Sequence, residues 1–112
     1  MTAGNLDIFC TKGSTFSTSI TVKNPNNILA GLTYWGSRMQ VRKSVSASSP
    51  LIELTTDNGR LEHDVDNAKI TMSLTAEETN GLELGDHVYD LELYSTARAA
   101  VVRLVQGKFS VE

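Results

Sequence analysis

Ser14-Thr15-Phe16-Ser17-Thr18-Ser19-Ile20-Thr21-Val22 is the stretch that decides the fold. Phe16, Thr18, Ile20 and Val22 fall on one side and Ser17, Ser19 and Thr21 on the other. That period of two sorts into an apolar and a polar face only in an extended chain. The residue types are β-branched or hydroxyl-bearing, which suits a half-buried pleated surface. The run stops at Lys23-Asn24-Pro25-Asn26-Asn27, where asparagine and proline favour a turn.

The same period recurs outward from this strand. In residues 34–43, Trp35, Ser37, Met39 and Val41 face one way, and Arg38, Gln40 and Arg42 face water. A serine-rich loop, 44–50, leads to residues 51–55, where Ile52 and Leu54 share a face. Asn58-Gly59 readily supplies the two positive φ angles of a type I′ turn, which predicts a hairpin joining this strand to residues 60–63. Residues 69–74 put Ile70, Met72 and Leu74 inward; residues 86–95 put Tyr89, Leu91 and Leu93 inward and Asp90, Glu92 and Tyr94 outward. In the last strand, 100–111, Val102 and Leu104 have one parity and Phe109 and Val111 the other. A bulge at Gly107 would return both pairs to the core.

One helical turn interrupts the strands. Thr75 is placed to cap the amide of Glu78, and Glu78 to reach back to the amide of Thr75, before Asn80-Gly81 closes the turn. Seven or eight short strands, one short helical turn and no βαβ alternation predict an all-β chain, an immunoglobulin-like antiparallel β-sandwich filling residues 1–112 as one domain. With no cysteine pair to bracket Trp35, the term describes the architecture only. The chain has 112 residues, 40% of them hydrophobic and 21% charged, enough for one core and incompatible with disorder throughout.

Charge and cysteine count remove several classes of function. Ten Lys+Arg against thirteen Asp+Glu give a net charge of −3, the wrong sign for a basic nucleic-acid surface, so no nucleic-acid partner is expected. Cys10 stands alone, without the partners that a disulfide, a structural zinc or a redox pair needs. No apolar run approaches the roughly 20 residues that span a bilayer, and no membrane partner is expected. Met1-Thr2-Ala3-Gly4-Asn5 has no basic segment followed by an apolar one, so the expected site of synthesis is a cytoplasm.

The remaining chemistry reads as bland. His63 and His87 sit near polar turns and are expected to be solvent-exposed bystanders, with no nucleophile in a triad setting beside them. His63-Asp64-Val65-Asp66-Asn67 is rich in oxygen donors but lacks the glycine and closing glutamate of a calcium loop. Asp90 and Glu92 fall about 7 Å apart on a wet face, where no burial separates their pKa values as acid–base catalysis requires. Arg38, Arg42 and Lys43 lie on or beside one strand, with Arg60, Arg98 and Arg103 elsewhere. Cross-strand balance by Glu53, Asp90 and Glu92 is expected, rather than a phosphate-binding stripe. Gly31, Gly36, Gly59, Gly81, Gly85 and Gly107 are isolated and suit turns or bulges. No catalytic, metal or cofactor residue is assigned, and no cofactor is expected. No binding residue is named, because an interface made by an edge strand is carried largely by its backbone. Leu6-Asp7-Ile8-Phe9-Cys10 and the last strand are the candidate edges, unless the two ends pair within the domain.

Five segments taken together carry a resemblance: KGSTFSTSITVKNPN (12–26), GLTYWGSRMQVRKS (31–44), LIELTTDNGRL (51–61), ITMSLTAEET (70–79) and the closing pair VYDLELYS (88–95) and VVRLVQGKFSV (101–111). This series resembles the immunoglobulin-like N-terminal domain of bacteriophage baseplate upper proteins, and stand-alone versions of that domain among small phage structural proteins. The resemblance covers nearly the whole chain, and does not extend to the helical and fibre-attachment regions of the upper proteins. It implies a non-enzymatic virion component made in the bacterial host cytoplasm. Such a component would be an adaptor or decoration module of the tail, neck, baseplate or capsid, with other virion proteins as partners and many copies in a symmetric assembly. A competing expectation from the residues is a carbohydrate-binding module that stacks host glycan on Tyr34, Trp35 or Tyr94.

Overall fold

The computed structural model describes residues 4–21, 35–64, 69–95 and 100–112. Its strands are β1 (Gly4–Asn5), β2 (Ile8–Cys10), β3 (Phe16–Thr21), β4 (Gly36–Arg42), β5 (Ile52–Thr55), β6 (Leu61–Asp64), β7 (Lys69–Leu74), β8 (Gly85–Ser95) and β9 (Ala100–Val111), with helix α1 (Ala76–Asn80) between β7 and β8. They form two sheets. The larger runs β1-β9-β8-β4-β5, with β2 also on β9; the smaller runs β3-β7-β6.

The period of two is what joins the sheets. Ser37, Met39 and Val41 of β4 are buried while Arg38, Gln40 and Arg42 are not, and β8 alternates in the same way around Leu91 and Leu93. Leu61, Ile70, Met72 and Leu74 face them from the smaller sheet, fully or almost fully buried. Each such aliphatic side chain contributes about 1.5–3 kcal/mol through removal from water. Phe16 of the smaller sheet meets Phe109 of the larger edge to face, with ring centroids 5.7 Å apart, a favoured aromatic geometry. The all-β sandwich expected from the sequence is therefore the observed architecture.

Three expectations are corrected. The first is that every pairing is antiparallel: β1 and β2 instead run parallel to β9, with Gly4 opposite Val105 and Ile8 opposite Phe109. These two strands are pieces of one edge strand broken at Leu6 and Asp7, so the two ends of the chain pair within the domain and β9 is interior to its sheet.

The second concerns Asn58-Gly59. β5 pairs with β4 and β6 with β7, so the turn passes the chain from one sheet to the other and makes no hairpin. The Asn58 side chain organises it: Oδ1 accepts from the amides of Thr55 and Arg60, both at 3.0 Å, and Nδ2 donates to the Glu53 carbonyl at 3.0 Å. Gly59 takes the positive φ of 80°. Leu54 and Leu61, on either side of the turn, are both buried, and burying them in opposing layers keeps the two strands in separate sheets.

The third is the position of the bulge. Leu91 lies opposite Val105 but Glu92 opposite Arg103, which makes Leu104 the extra residue. Gly107 serves a different purpose, since a Cβ there would collide with the Leu6 carbonyl oxygen and only glycine allows the first strand to lie this close.

The helical turn is as expected. Thr75 Oγ1 accepts from the Glu78 amide at 3.1 Å, and the Thr75 amide donates to Glu78 Oε1 at 2.8 Å, a complete capping box. Buried Thr79 ties the helix to the chain ahead of β3: its hydroxyl donates to the Ser14 carbonyl and accepts from the Gly13 amide. Val22 lies outside the described residues.

Candidate functional site

The outward face of the larger sheet holds most of the charged residues singled out from the sequence. Arg38 points outward because its neighbours Ser37 and Met39 point inward, and its Nε donates to Glu92 Oε1 at 3.0 Å. Asp90 forms an ion pair with Arg103 across β8 and β9, Oδ2 to Nη2 at 3.3 Å. Gln40 Nε2 donates to Glu53 Oε2 at 2.7 Å. Arg42 binds the Ala47 carbonyl at 2.9 Å, drawing in the 44–50 loop, and also bonds Gln40. Lys43 pairs with Glu83, and Arg60 with Glu78 beside the capping box. The expected cross-strand balance is thus present for Arg38 and Arg103; Arg42 instead uses neutral acceptors, while Lys43 and Arg60 use other carboxylates. Arg98 lies outside the described residues.

Asp90 and Glu92 thus each have an arginine of their own on an open face. A shallow depression of about 530 Å³ beside the 44–50 loop is lined partly by the same side chains, Gln40, Arg42, Asp90 and Arg103.

Both histidines depart from the exposed-turn expectation. His63 is half-buried on β6 and its Nε2 lies 2.8 Å from the hydroxyl of Ser37, a fully buried residue of the opposite sheet, so it links the two layers. His87 is only 4% exposed on the inward face of β8. Its Nε2 donates to the Glu83 carbonyl at 2.8 Å, and its Nδ1 has no hydrogen-bond partner among the described residues. Of the oxygen-rich segment, His63 and Asp64 end β6, and residues 65–67 lie outside the described residues. Among the described residues no group of three or more His, Cys, Asp or Glu is placed to hold a metal ion. Cys10 is buried on β2, beside β9, and desolvation pushes its thiol pKa up.

Two of the three candidate stacking aromatics, Tyr94 and Trp35, make contacts within the domain. Tyr94 lies over Gly36, where an added Cβ would come within 2.5 Å of the ring, and the Arg38 guanidinium sits 5.4 Å from its centroid. Trp35 packs against the core, and Tyr34 lies outside the described residues.

Exposed apolar side chains lie in the 44–50 loop at Val45, before β8 at Leu84, on β9 at Val101, and at the edge formed by the first strands. Phe9 on β2 is 65% exposed and Leu6, at the break before it, 42%. A groove of about 400 Å³ runs between β2 and β3, with Ile8, Phe9, Phe16 and Thr18 among its walls. The expectation of Leu6-Asp7-Ile8-Phe9-Cys10 as an edge holds, whereas the last strand is covered on both sides. Phe9 could have been found from the sequence: Ile8 and Cys10 share one parity, which leaves the intervening phenylalanine facing out.

No family model and no curated protein matches this sequence. By structure the chain is similar to the NK cell receptor NKp44, a triggering partner in natural cytotoxicity, with a TM-score of 0.56 and 16% identity over 100% of each chain. It is also similar to InlP of Listeria monocytogenes, with a TM-score of 0.54 and 14% identity over 98% of this chain and 28% of that one. At such identities the likeness shows the fold alone, and it defines the class: an immunoglobulin-like all-β sandwich.

Proposed function

We propose that this chain is a non-enzymatic structural protein of a bacteriophage particle, an adaptor or decoration module of tail, neck, baseplate or capsid that works by protein–protein contact in many copies. The observation that carries the contact reading is the edge at β2, which among the described residues pairs only with β9, and where Phe9 stands 65% exposed beside a groove of mixed apolar and hydroxyl-bearing lining. Exposed apolar surface next to the outer edge of a sheet supports recognition by another protein. The polar face supports the same reading, since Arg38 and Glu92, and Asp90 and Arg103, are paired with one another, and Glu53 and Arg42 bond neutral partners. Placement in a virion rests on the five resembling segments, and repetition of a modest contact in a symmetric assembly would supply avidity.

The test is addition of the purified chain to phage particles that lack it, with the bound fraction measured after sedimentation. Saturable incorporation at a fixed copy number is the expected result. A chain that ignores particles yet binds a glycan array overturns the proposal in favour of host-surface recognition.

A further inference from the structure

The edges of this sandwich are not equally defended. β5 displays Glu53, and β6 displays Glu62 and Asp64; charges of this kind discourage strand addition. β2 is three residues long and follows Asp7. β3, Phe-Ser-Thr-Ser-Ile-Thr, is six residues long and contains neither a charge nor a proline. Among the described residues, only β7 pairs with it.

The register fixes which backbone groups of β3 face away from β7. The Ser73 amide of β7 donates to the Arg60 carbonyl at 2.9 Å, so the backbone of Ser73 faces β6. Ser17 lies opposite Ser73. In an antiparallel ladder the amide and carbonyl of one residue point to the same side, so those of Ser17 face away from β7, and by alternation so do those of Ser19 and Thr21. The side chains of Ser17, Ser19 and Thr21 are exposed. Among the described residues these donors and acceptors have no strand partner, and β3 presents them as a row flanked by hydroxyl groups.

We propose that this edge pairs with the same edge of a second copy: two β3 strands run antiparallel across a two-fold axis at Ser19 and join two three-stranded sheets into one. An identical strand fits because no charge meets its like and every position meets a hydroxyl or an aliphatic group. Ser17 falls opposite the partner copy's Thr21, and Ser19 opposite itself, hydroxyl pairs that stabilise sheets. This register lets the three outward-facing residues of each strand exchange about six main-chain hydrogen bonds. On the inner side Ile20, half-buried in one copy, meets Thr18 of the other at the mouth of the groove walled by Ile8, Phe9 and Phe16. The proposal rests on the reading of this chain as an assembly module and names one of its contacts.

Sedimentation equilibrium from about 10 µM to about 1 mM tests it, a range that covers weak self-association. Wild type is expected to approach twice the chain mass with rising concentration. Ser19→Lys sets two ammonium groups against each other across the axis and should weaken association at least ~10-fold, while the conservative Ser19→Thr retains it. In oxidising buffer Ser19→Cys should cross-link, because directly opposed Cα atoms stand about 5.5 Å apart. Ser17→Cys should not, since four residues of stagger separate the two sulfurs by about 13 Å. The two cysteine variants keep the test decisive even where the lysine variant fails to fold. A wild-type monomer at every concentration, or cross-linking at position 17 in preference to 19, overturns the self-pairing. Incorporation into particles is measured separately, so a monomer that still enters virions sinks this contact and leaves the virion reading standing.

Discussion

The hydroxyl of Tyr89 donates to the carbonyl oxygen of Leu6 at 2.5 Å, joining residues 83 positions apart. Tyr89 is otherwise a core residue of β8, and Gly107 opposite it on β9 clears the space through which the Leu6 carbonyl enters. The break between β1 and β2 is thus pinned to the centre of the larger sheet, and Leu6 returns a bond from its own amide to the Gln106 carbonyl.

Tyr89→Phe leaves that carbonyl without its buried donor, and should cost about 1–3 kcal/mol in urea denaturation at neutral pH. Burial pushes the Tyr89 pKa well above the ordinary tyrosine range, and the nearby Asp7 carboxylate adds to the rise. A raised pKa means that the neutral hydroxyl favours the fold. Its contribution is complete below the unfolded value near ~10 and drains away as pH climbs from there through the folded value. Wild type should lose stability over that alkaline window, and the phenylalanine variant should lose less. Equal loss in the two proteins would refute this assignment.

Gly107→Ala is expected to displace the first strand, since the new Cβ meets the backbone of Leu6 and no flexible side chain can yield. A cost of about 1–3 kcal/mol is typical of such overpacking. Cys10 supplies the readout, being buried on β2 with its thiol pKa raised by desolvation. Alkylation of Cys10 should be slow in wild type and faster in Gly107→Ala under native conditions. Unchanged alkylation would mean that the strand had stayed in place.

Glu78 carries the acid sensitivity of the helical turn. The Thr75 amide bonding to its carboxylate holds its pKa below the usual range, opposed by partial desolvation and aided by Arg60. A lowered pKa means that the ionised form favours the fold, so its contribution is present above the ordinary glutamate value near ~4.3 and lost as pH falls through the folded one. Glu78→Gln should flatten the acid limb of the stability curve. Thr75→Ala removes the other half of the box and should cost about 1 kcal/mol, measured by thermal unfolding.

Asp90→Asn combined with Glu92→Gln should change stability by less than about 1 kcal/mol, because both ion pairs are partly exposed and such pairs contribute little. A loss of several kcal/mol by chemical denaturation would show that the polar face is cooperatively structural.

How much of this was legible follows from the range of the signals. Inward and outward residues in β3, β4, β7 and β8 could be read because alternation is local, and so could the Thr75 cap. His87 was legible too: it has the parity of Tyr89 and Leu91, and its closeness to a turn was a poor reason to place it in solvent. The Asn58 turn misled because two successive strands can bury their leucines in opposite layers as readily as side by side. The slip in β9 was visible in the parity of Val102 and Phe109, but its position depends on register with β8, which no local pattern carries. Parallel pairing of β2 with β9 joins residues about a hundred positions apart, and nothing within either segment announces it. Of the candidate site, Phe9 was readable from parity, whereas the open edge of β3 depends on which strands lie beside it.

The parallel pairing of the first strand with the last also governs how the domain bears tension. Its two strands run in the same direction, so a pull on the chain before Gly4 and beyond Val111 drags them past one another along their length. The main-chain bonds between them are then loaded together, in shear, and cannot be opened one by one as in a hairpin peeled from its end. A domain tethered by both ends would resist extension through this one seam before its core was stressed at all.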